Sequence, residues 1–384
     1  MRQILADFWY IGTEKRGFEP ENEGDVPRKR EILVHHFFLS DKSVPYRGFF
    51  SYICLYFMHF ERDVREICRD VYVKKINAMK RTYHLCLSAG EEVMFRDRED
   101  FNRGFNCFAL ALYKTDSTGL VESFMTNHTH QMIESRDPAG FMHCFRQPYS
   151  KYFNCKYGRK GMLGEERHFA LEIRGLYHKI AAVTYTLRNP LHHGVAPIPY
   201  AYPFCSVNAI FQKEMGKHPC DKLLPEKAYY RYIGKRAEYP PHYKMSEEGV
   251  FLRESVLDIV QIENMFVTPR NFDYHMGRKT SEDWYKEQEK DKSDLPTIRL
   301  ETIEKGINLQ SVERMLIHES GRSDYDKMSD MELCRIIDKE ILPDHGRKSV
   351  YELSMSEKTR LADYLYRTYH LGEAQIRRCL AMLY

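Results

Sequence analysis

What most constrains the fold of this chain is the order in which its apolar period switches between Tyr83 and Arg188. Tyr83-His84-Leu85-Cys86-Leu87 reads as a short strand, and Asp97 to Tyr113 sets Phe101, Phe105, Phe108, Ala109 and Leu112 at helical spacing. Leu120 to Met125 and His128 to Glu134 read as two strands joined at a tight Thr126-Asn127 turn. Asp137-Pro138 is a helix start, an N-cap followed by proline at the first helical position, and the helix runs toward Phe153 with a disturbance expected at Pro148. A strand over His168 to Ile173 follows. The next helix, Gly175 to Arg188, is expected to close at Asn189-Pro190, because proline disfavours helical backbone in the residue before it. Strand, helix, strand, strand, helix, strand is the order of an α+β, ferredoxin-like split βαβ unit with an antiparallel sheet, here with one more helix beside it.

At 384 residues the chain exceeds one unit of ~100–200 residues, so further units are expected. Residues 1–78 read as an N-terminal extension without a legible function: a polar stretch from Glu19 to Arg30, an apolar run from Phe49 to Phe60, then Val64, Ile67, Cys68, Val71 and Tyr72 at helical spacing. The α+β unit spans 79–225. Residues 226–295 read as a connecting region, whose charged stretch from Gly277 to Asp294 suits a linker or a solvated helix. Residues 296–384 are helical throughout. Ser354 with Glu357 forms a capping box for a helix through Tyr369, His370-Leu371-Gly372 forms a turn, and Glu373 to Leu383 forms a last helix bearing Arg377 and Arg378. That is a helix-turn-helix pattern, open to two uses: contact with duplex DNA, or packing and dimerisation.

The apolar run includes Ser51 and His59 and falls well short of the ~20 residues of a membrane span, so no membrane crossing is expected. No basic-then-apolar leader is read at Met1-Arg2-Gln3-Ile4. The 10 cysteines stand singly with no Cys-x-x-Cys pair, which suits free thiols in a reducing cytoplasm. A formal charge of +3 leaves attraction to nucleic acid to local patches.

Three features carry chemistry. His128 and His130 are two apart on a strand, so both imidazoles face one side and can reach one ion; they can equally be two half-buried histidines. Tyr185 and Asn189 are four apart on a helix and share a face, a nucleophile beside an amide ligand, although packing is the ordinary use of one tyrosine among 27. From Phe141 to His193 there are nine Lys or Arg against three Glu, with Tyr149, Tyr152, Phe153 and Tyr157 interleaved. Cations for phosphates and rings for stacking suit single-stranded nucleic acid, and a solvated cationic face is the other reading.

Together these segments resemble the REP-associated tyrosine transposases of the HUH single-strand endonuclease superfamily, over roughly Tyr83 to Phe204. The family's opening Tyr-His is similar to Tyr83-His84, and its Met-x-Asn-His-x-His strand to Met125-Thr126-Asn127-His128-Thr129-His130. Its Tyr-x-x-Tyr-Phe-Asn helix end and basic turn are similar to Tyr149 to Asn154 with Tyr157-Gly158-Arg159-Lys160-Gly161, and its Tyr-x-x-x-Asn-Pro and Gly-Val to Tyr185 to Pro190 and Gly194-Val195. Two positions depart from the pattern: Thr126 stands where proline is frequent and Gln131 where an apolar residue is usual.

The resemblance implies a transposase or nickase that cuts and rejoins single-stranded hairpin DNA of REP-like repeats through a 5′-phosphotyrosine. Tyr185 would be the nucleophile. His128, His130 and Asn189 would hold Mg²⁺ or Mn²⁺. Apart from the resemblance, the basic, aromatic stretch offers Arg146, Lys151, Tyr152, Lys156, Arg159, Lys160 and Arg167 as DNA contacts, and the helix-turn-helix pattern, which lies outside the resemblance, offers Arg377 and Arg378. The resemblance further implies a bacterial, nucleoid-associated protein acting as a monomer or homodimer. Two alternatives stand beside it: a domesticated hairpin-DNA-binding protein that no longer cuts, and a metal hydrolase that adds Glu165 or Glu166 to the two histidines.

Overall fold

The computed structural model describes residues 79–218, 220, 222–277, 281–291, 297–314 and 328–382. The patterns read within residues 1–78 lie outside them. β1 (Arg81–Ser88), α1 (Arg98–Lys114), β2 (Thr118–Phe124), β3 (His128–Ser135), α2 (Pro138–Tyr157) and β4 (Phe169–Ile173) follow in the expected order. The sheet runs β2-β3-β1-β4 with every neighbouring pair antiparallel, which is the split βαβ topology.

Local chemistry fixes the helix starts. Asp97 and Asp137 each cap a helix by accepting from a backbone N–H three residues on, Asp100 at 2.9 Å and Gly140 at 2.8 Å, and Pro138 occupies the first helical turn. α2 ends at Gly158, whose φ of 68° is the left-handed conformation glycine tolerates. Pro148 does not interrupt α2, which is continuous to Tyr157. It sits on the exposed side, while Phe145, Tyr149 and Phe153 hold both halves against the core. Apolar burial on the flanks outweighs one absent N–H.

Strand parity divides the sheet into two faces. Leu85, Leu87, Ile133 and Phe124 point toward α1 and α2, where Phe95, Phe101, Phe105, Phe108, Phe141 and Phe145 make a continuous aromatic core. Each such ring contributes roughly 1.5–3 kcal/mol by leaving water. Thr82, His84, Cys86, His128, His130, Met132 and Glu134 point the other way, as the registers Cys86↔His130 and His84↔Met132 require. That second face is covered by α3 (Leu176–His192).

α3 runs on through Pro190 to His192 instead of closing at Asn189. Proline near a helix C-terminus removes one N–H bond in a turn whose carbonyls are already capped by the His193 and Gly194 N–H groups. At its other end α3 has no cap of its own. Asp291, from the charged stretch after Gly277, accepts from the His178 N–H and lies 2.8 Å from His178 Nδ1. The stretch therefore packs onto the helix, with a helical turn set over Ser281–Gln288.

α4 (Ile259–Phe266) and α5 (Pro269–Gly277) flank α3. The C-terminal region is helical: α6 (Asp330–Ile336), α7 (Met355–Tyr369) and α8 (Glu373–Cys379) enclose a second core of Leu333, Ile337, Leu365, Ile376 and Leu380, joined by Val93 from beyond β1. The capping box at Ser354 and Glu357 forms as expected, and His370 makes the turn at φ 54°. The last helix stops at Cys379 rather than continuing toward Leu383. Among the described residues no helix is long and apolar enough to cross a membrane.

Candidate functional site

The site lies where β1 and β3 present their histidines to α3. His128 and His130, two apart on β3, share the face, and their rings stand 5.2 Å apart. α3 lowers Tyr185 and, one turn later, Asn189 onto them: the Tyr185 ring is 5.3 Å from that of His130, and Asn189 Oδ1 is 3.1 Å from His128 Nε2. Asn189 Nδ2 donates toward Tyr185 Oη at 3.4 Å. The four side chains are all buried, Tyr185 at 3% exposure and the others at 0%.

Hydrogen bonds around His128 dictate its proton. Asn127 Nδ2 donates to the carbonyls of Gly90 (2.9 Å) and Ser311 (2.8 Å), so Asn127 Oδ1 faces His128 Nδ1 at 3.0 Å as an acceptor. His128 Nδ1 must then carry the proton. Burial holds this imidazole neutral, pushing its pKa down to about 4, so Nε2 is left with a lone pair aimed at the Asn189 carbonyl oxygen. The Asn189 amide and the His128 Nε2 lone pair stand 3.1 Å apart, close enough to be shared by one cation or joined by one hydrogen bond with the amide turned over. Two cis ligands bound at ~2.1 Å to an octahedral ion are about 3 Å apart, which is the spacing found.

His130 is prepared in the same way. Its Nδ1 is 3.1 Å from His84 Nε2, with the rings stacked, while its Nε2 is buried without a hydrogen-bond partner. A ring nitrogen oriented by a second residue and open at the other is the arrangement of a metal-ligating histidine. Burial, reinforced by the neighbouring histidines, holds His130 well below the ordinary range, and burial alone takes His84 down to about 3. Neutral imidazoles are the ligating form. Among the described residues no three His, Cys, Asp or Glu side chains are grouped to hold a metal, and the third polar group beside the two histidines is the Asn189 amide. The residues fit a divalent ion.

Four further residues enter the site. His84 was legible only as half of a Tyr-His pair. His192 and His193 follow Tyr185 by seven and Asn189 by four, hence on the same helical stripe. His193 stacks edge-on against His128 at 5.5 Å. Glu304 gave no sequence signal: from 119 residues away its Oε1 accepts from Tyr185 Oη at 3.4 Å and lies 2.6 Å from His192 Nε2. Burial first, then the Glu304 carboxylate, pushes the Tyr185 phenol well above its ordinary value.

The remaining expected residues divide by where their charges go. Lys151, Lys160 and Arg167 are exposed and make no ion pair among the described residues. Arg146 caps the carbonyls of Leu163, Gly164 and Glu166, and Arg159 clasps the buried Glu92 at 2.6 and 2.9 Å. Lys156 bonds Asp97 and Asp100, and Tyr152 bonds Asp100, tying α2 to α1. These four hold the fold together. Arg377 reaches Glu91 and the Met382 carbonyl. Arg378 is buried at 1% exposure, bidentate to Asp330 at 2.7 and 2.8 Å and bonded to the Ser311 carbonyl. It has no surface to offer DNA, and the expectation of a contact there does not fit its position.

Glu165 and Glu166 are exposed whereas His128 and His130 are fully buried, and neither carboxylate is grouped with the two histidines among the described residues. Both departures from the motif have a place. The Thr126 hydroxyl donates to Asp330 at 2.8 Å and so docks the C-terminal helices on the β2–β3 turn. Gln131 points to the opposite face and bonds Thr129 at 3.2 Å, away from the site.

No family model and no curated protein matches the chain. Among solved structures it is similar to a REP-associated tyrosine transposase bound to a REP hairpin, at 14% identity and a TM-score of 0.30, over 37% of this chain and 84% of that one.

Proposed function

We propose that the chain is a metal-dependent endonuclease or transposase that cleaves and rejoins single-stranded hairpin DNA through Tyr185. The observation that carries this reading is the convergence of Tyr185 and Asn189 from α3 with His128 and His130 from β3. A phenol within one turn of an amide ligand and over a paired-histidine strand has one economical use, attack on a metal-held phosphate.

Mg²⁺ or Mn²⁺ held by His128, His130 and Asn189 would act as a Lewis acid on the scissile phosphate. Tyr185 Oη forms the new bond to phosphorus as the bond to the 3′ oxygen breaks, its proton passing to water and the leaving oxygen taking one up. The product is a 5′-phosphotyrosine and a free 3′ hydroxyl. Because the ester bond is exchanged rather than hydrolysed, the 3′ hydroxyl of the same or another strand reverses the step without ATP. His84 and Asn127 orient the two imidazoles, and Lys151, Lys160 and Arg167 supply exposed cations for the phosphate backbone.

The test is incubation of labelled hairpin oligonucleotides with wild type, Tyr185→Phe and His128→Ala, in Mn²⁺ or EDTA, on denaturing gels. A covalent protein–DNA band is expected only for wild type with metal. Binding of hairpins with no adduct in any metal would favour the non-cutting hairpin-binding protein instead.

A further inference from the structure

The site just described is sealed. Tyr185, His128, His130, Asn189 and His84 are each at most 3% exposed, and a nucleotide cannot touch any of them while the covering residues stay where they are. α3 belongs to the site itself. The other cover is residues 299–313, which cross the same sheet face beside α3.

Two kinds of contact hold that cover. Toward the sheet, Gly306 lies so close to the strands that a Cβ there would fall 2.8 Å from Phe169 Cβ and 3.7 Å from Cys86 Cβ, and Glu304 reaches Tyr185 and His192. Toward the C-terminal helices, the Ser311 carbonyl accepts from Arg378 at 2.9 Å as well as from Asn127 at 2.8 Å, and Glu313 accepts from the Asp330 N–H at 2.8 Å. Asp330 and Arg378 are themselves buried and paired.

We infer that residues 299–313 are an autoinhibitory plug, clamped by the C-terminal helices, in which the Glu304 carboxylate occupies the place of the scissile phosphate beside Tyr185. A carboxylate is the side chain that best substitutes for a phosphate oxygen next to imidazoles and a phenol. It also repels an incoming phosphate, so the segment has to withdraw before DNA reaches the nucleophile. The inference rests on the reading of Tyr185 as that nucleophile, but the occlusion itself can be read without DNA.

Gly306 supplies a release that leaves every site residue in place. Phe169 Cβ is fixed to strand β4, so Gly306→Val has to lift the segment from the sheet. Glu304→Gln removes the charge at nearly the same shape and guards against misfolding of the valine variant. Both full-length variants and wild type are nitrated briefly with tetranitromethane, and the tryptic peptide over 180–188, whose one tyrosine is Tyr185, is quantified by mass spectrometry. The same proteins are assayed for the Mn²⁺-dependent hairpin adduct.

Gly306→Val is expected to raise Tyr185 nitration at least tenfold, and both variants to raise the initial adduct rate by a similar factor. Faster nitration with no adduct in any protein would uphold the plug and remove the tyrosine-nuclease reading. Wild-type Tyr185 nitrated as fast as in Gly306→Val, or an adduct rate lowered in both variants whose circular dichroism matches wild type, would overturn the plug.

Discussion

Asp330 is the residue on which the C-terminal helices depend. It pairs bidentately with a fully buried Arg378 and accepts from Thr126 at the edge of the site. Removing one partner of a buried pair leaves an uncompensated charge, a loss of about 3–5 kcal/mol. Asp330→Ala should therefore lower the urea midpoint strongly, whereas the exposed pair Arg367–Asp363 should matter by less than about 1 kcal/mol. Equal, small effects for Asp363→Ala and Asp330→Ala would contradict the placement.

The histidines make a second residue-scale prediction. His84 and His128 titrate near 3 and 4 in the folded chain, and His130 and His193 well below the ordinary range, chiefly through burial. The unfolded chain takes up these protons near pH ~6.5. Their neutral burial therefore places no burden on stability above that pH, and stability falls as pH drops from ~6.5 toward 4, by up to about 1.4 kcal/mol per pH unit for each histidine. Urea midpoints measured in EDTA between pH 7 and 4.5 should decline steadily; a flat profile would mean the cluster is not buried neutral.

At the scale of elements, much was legible because local rules and the fold agree. Asp97 and Asp137-Pro138 mark helix starts, period-two spacing places His128 and His130 on one face, and four-residue spacing brings Tyr185 to Asn189. Sequence alone weighs the missing N–H of the two prolines and not the turns around them: buried neighbours hold α2 helical at Pro148, and Pro190 falls in a last turn of α3 that the His193 and Gly194 N–H groups cap. Pro148→Ala restores a helical N–H on an exposed position, and should raise stability by about 1–2 kcal/mol after the loss of proline's restraint on the unfolded chain. An unchanged or lower thermal midpoint would show that Pro148 bends α2 usefully. Glu304 and the burial of Arg378 were out of reach for a different reason: both depend on contacts between segments far apart in sequence, 119 residues for Glu304 and Tyr185. An arginine on a short polar helix reads as surface until a buried aspartate from elsewhere meets it.

At the scale of the whole molecule, the helices after residue 328 and the α+β sheet are tied by buried polar contacts. Arg96 reaches Asp338 and the Cys379 carbonyl, and Tyr351 donates to Glu92, which Arg159 also clasps. The same region thus supports the sheet and holds residues 299–313 over its histidine face. The proposed chemistry depends on one atom, the Tyr185 phenolic oxygen. The most direct measurement is mass spectrometry of the tryptic peptide 180–188 after full-length protein, with Mn²⁺, has reacted with a hairpin oligonucleotide and the DNA has been trimmed by nuclease. A nucleotide 5′-phosphate is expected on Tyr185, absent in EDTA and in His128→Ala. DNA cut with that peptide unmodified, or the phosphate found on another tyrosine, would contradict it.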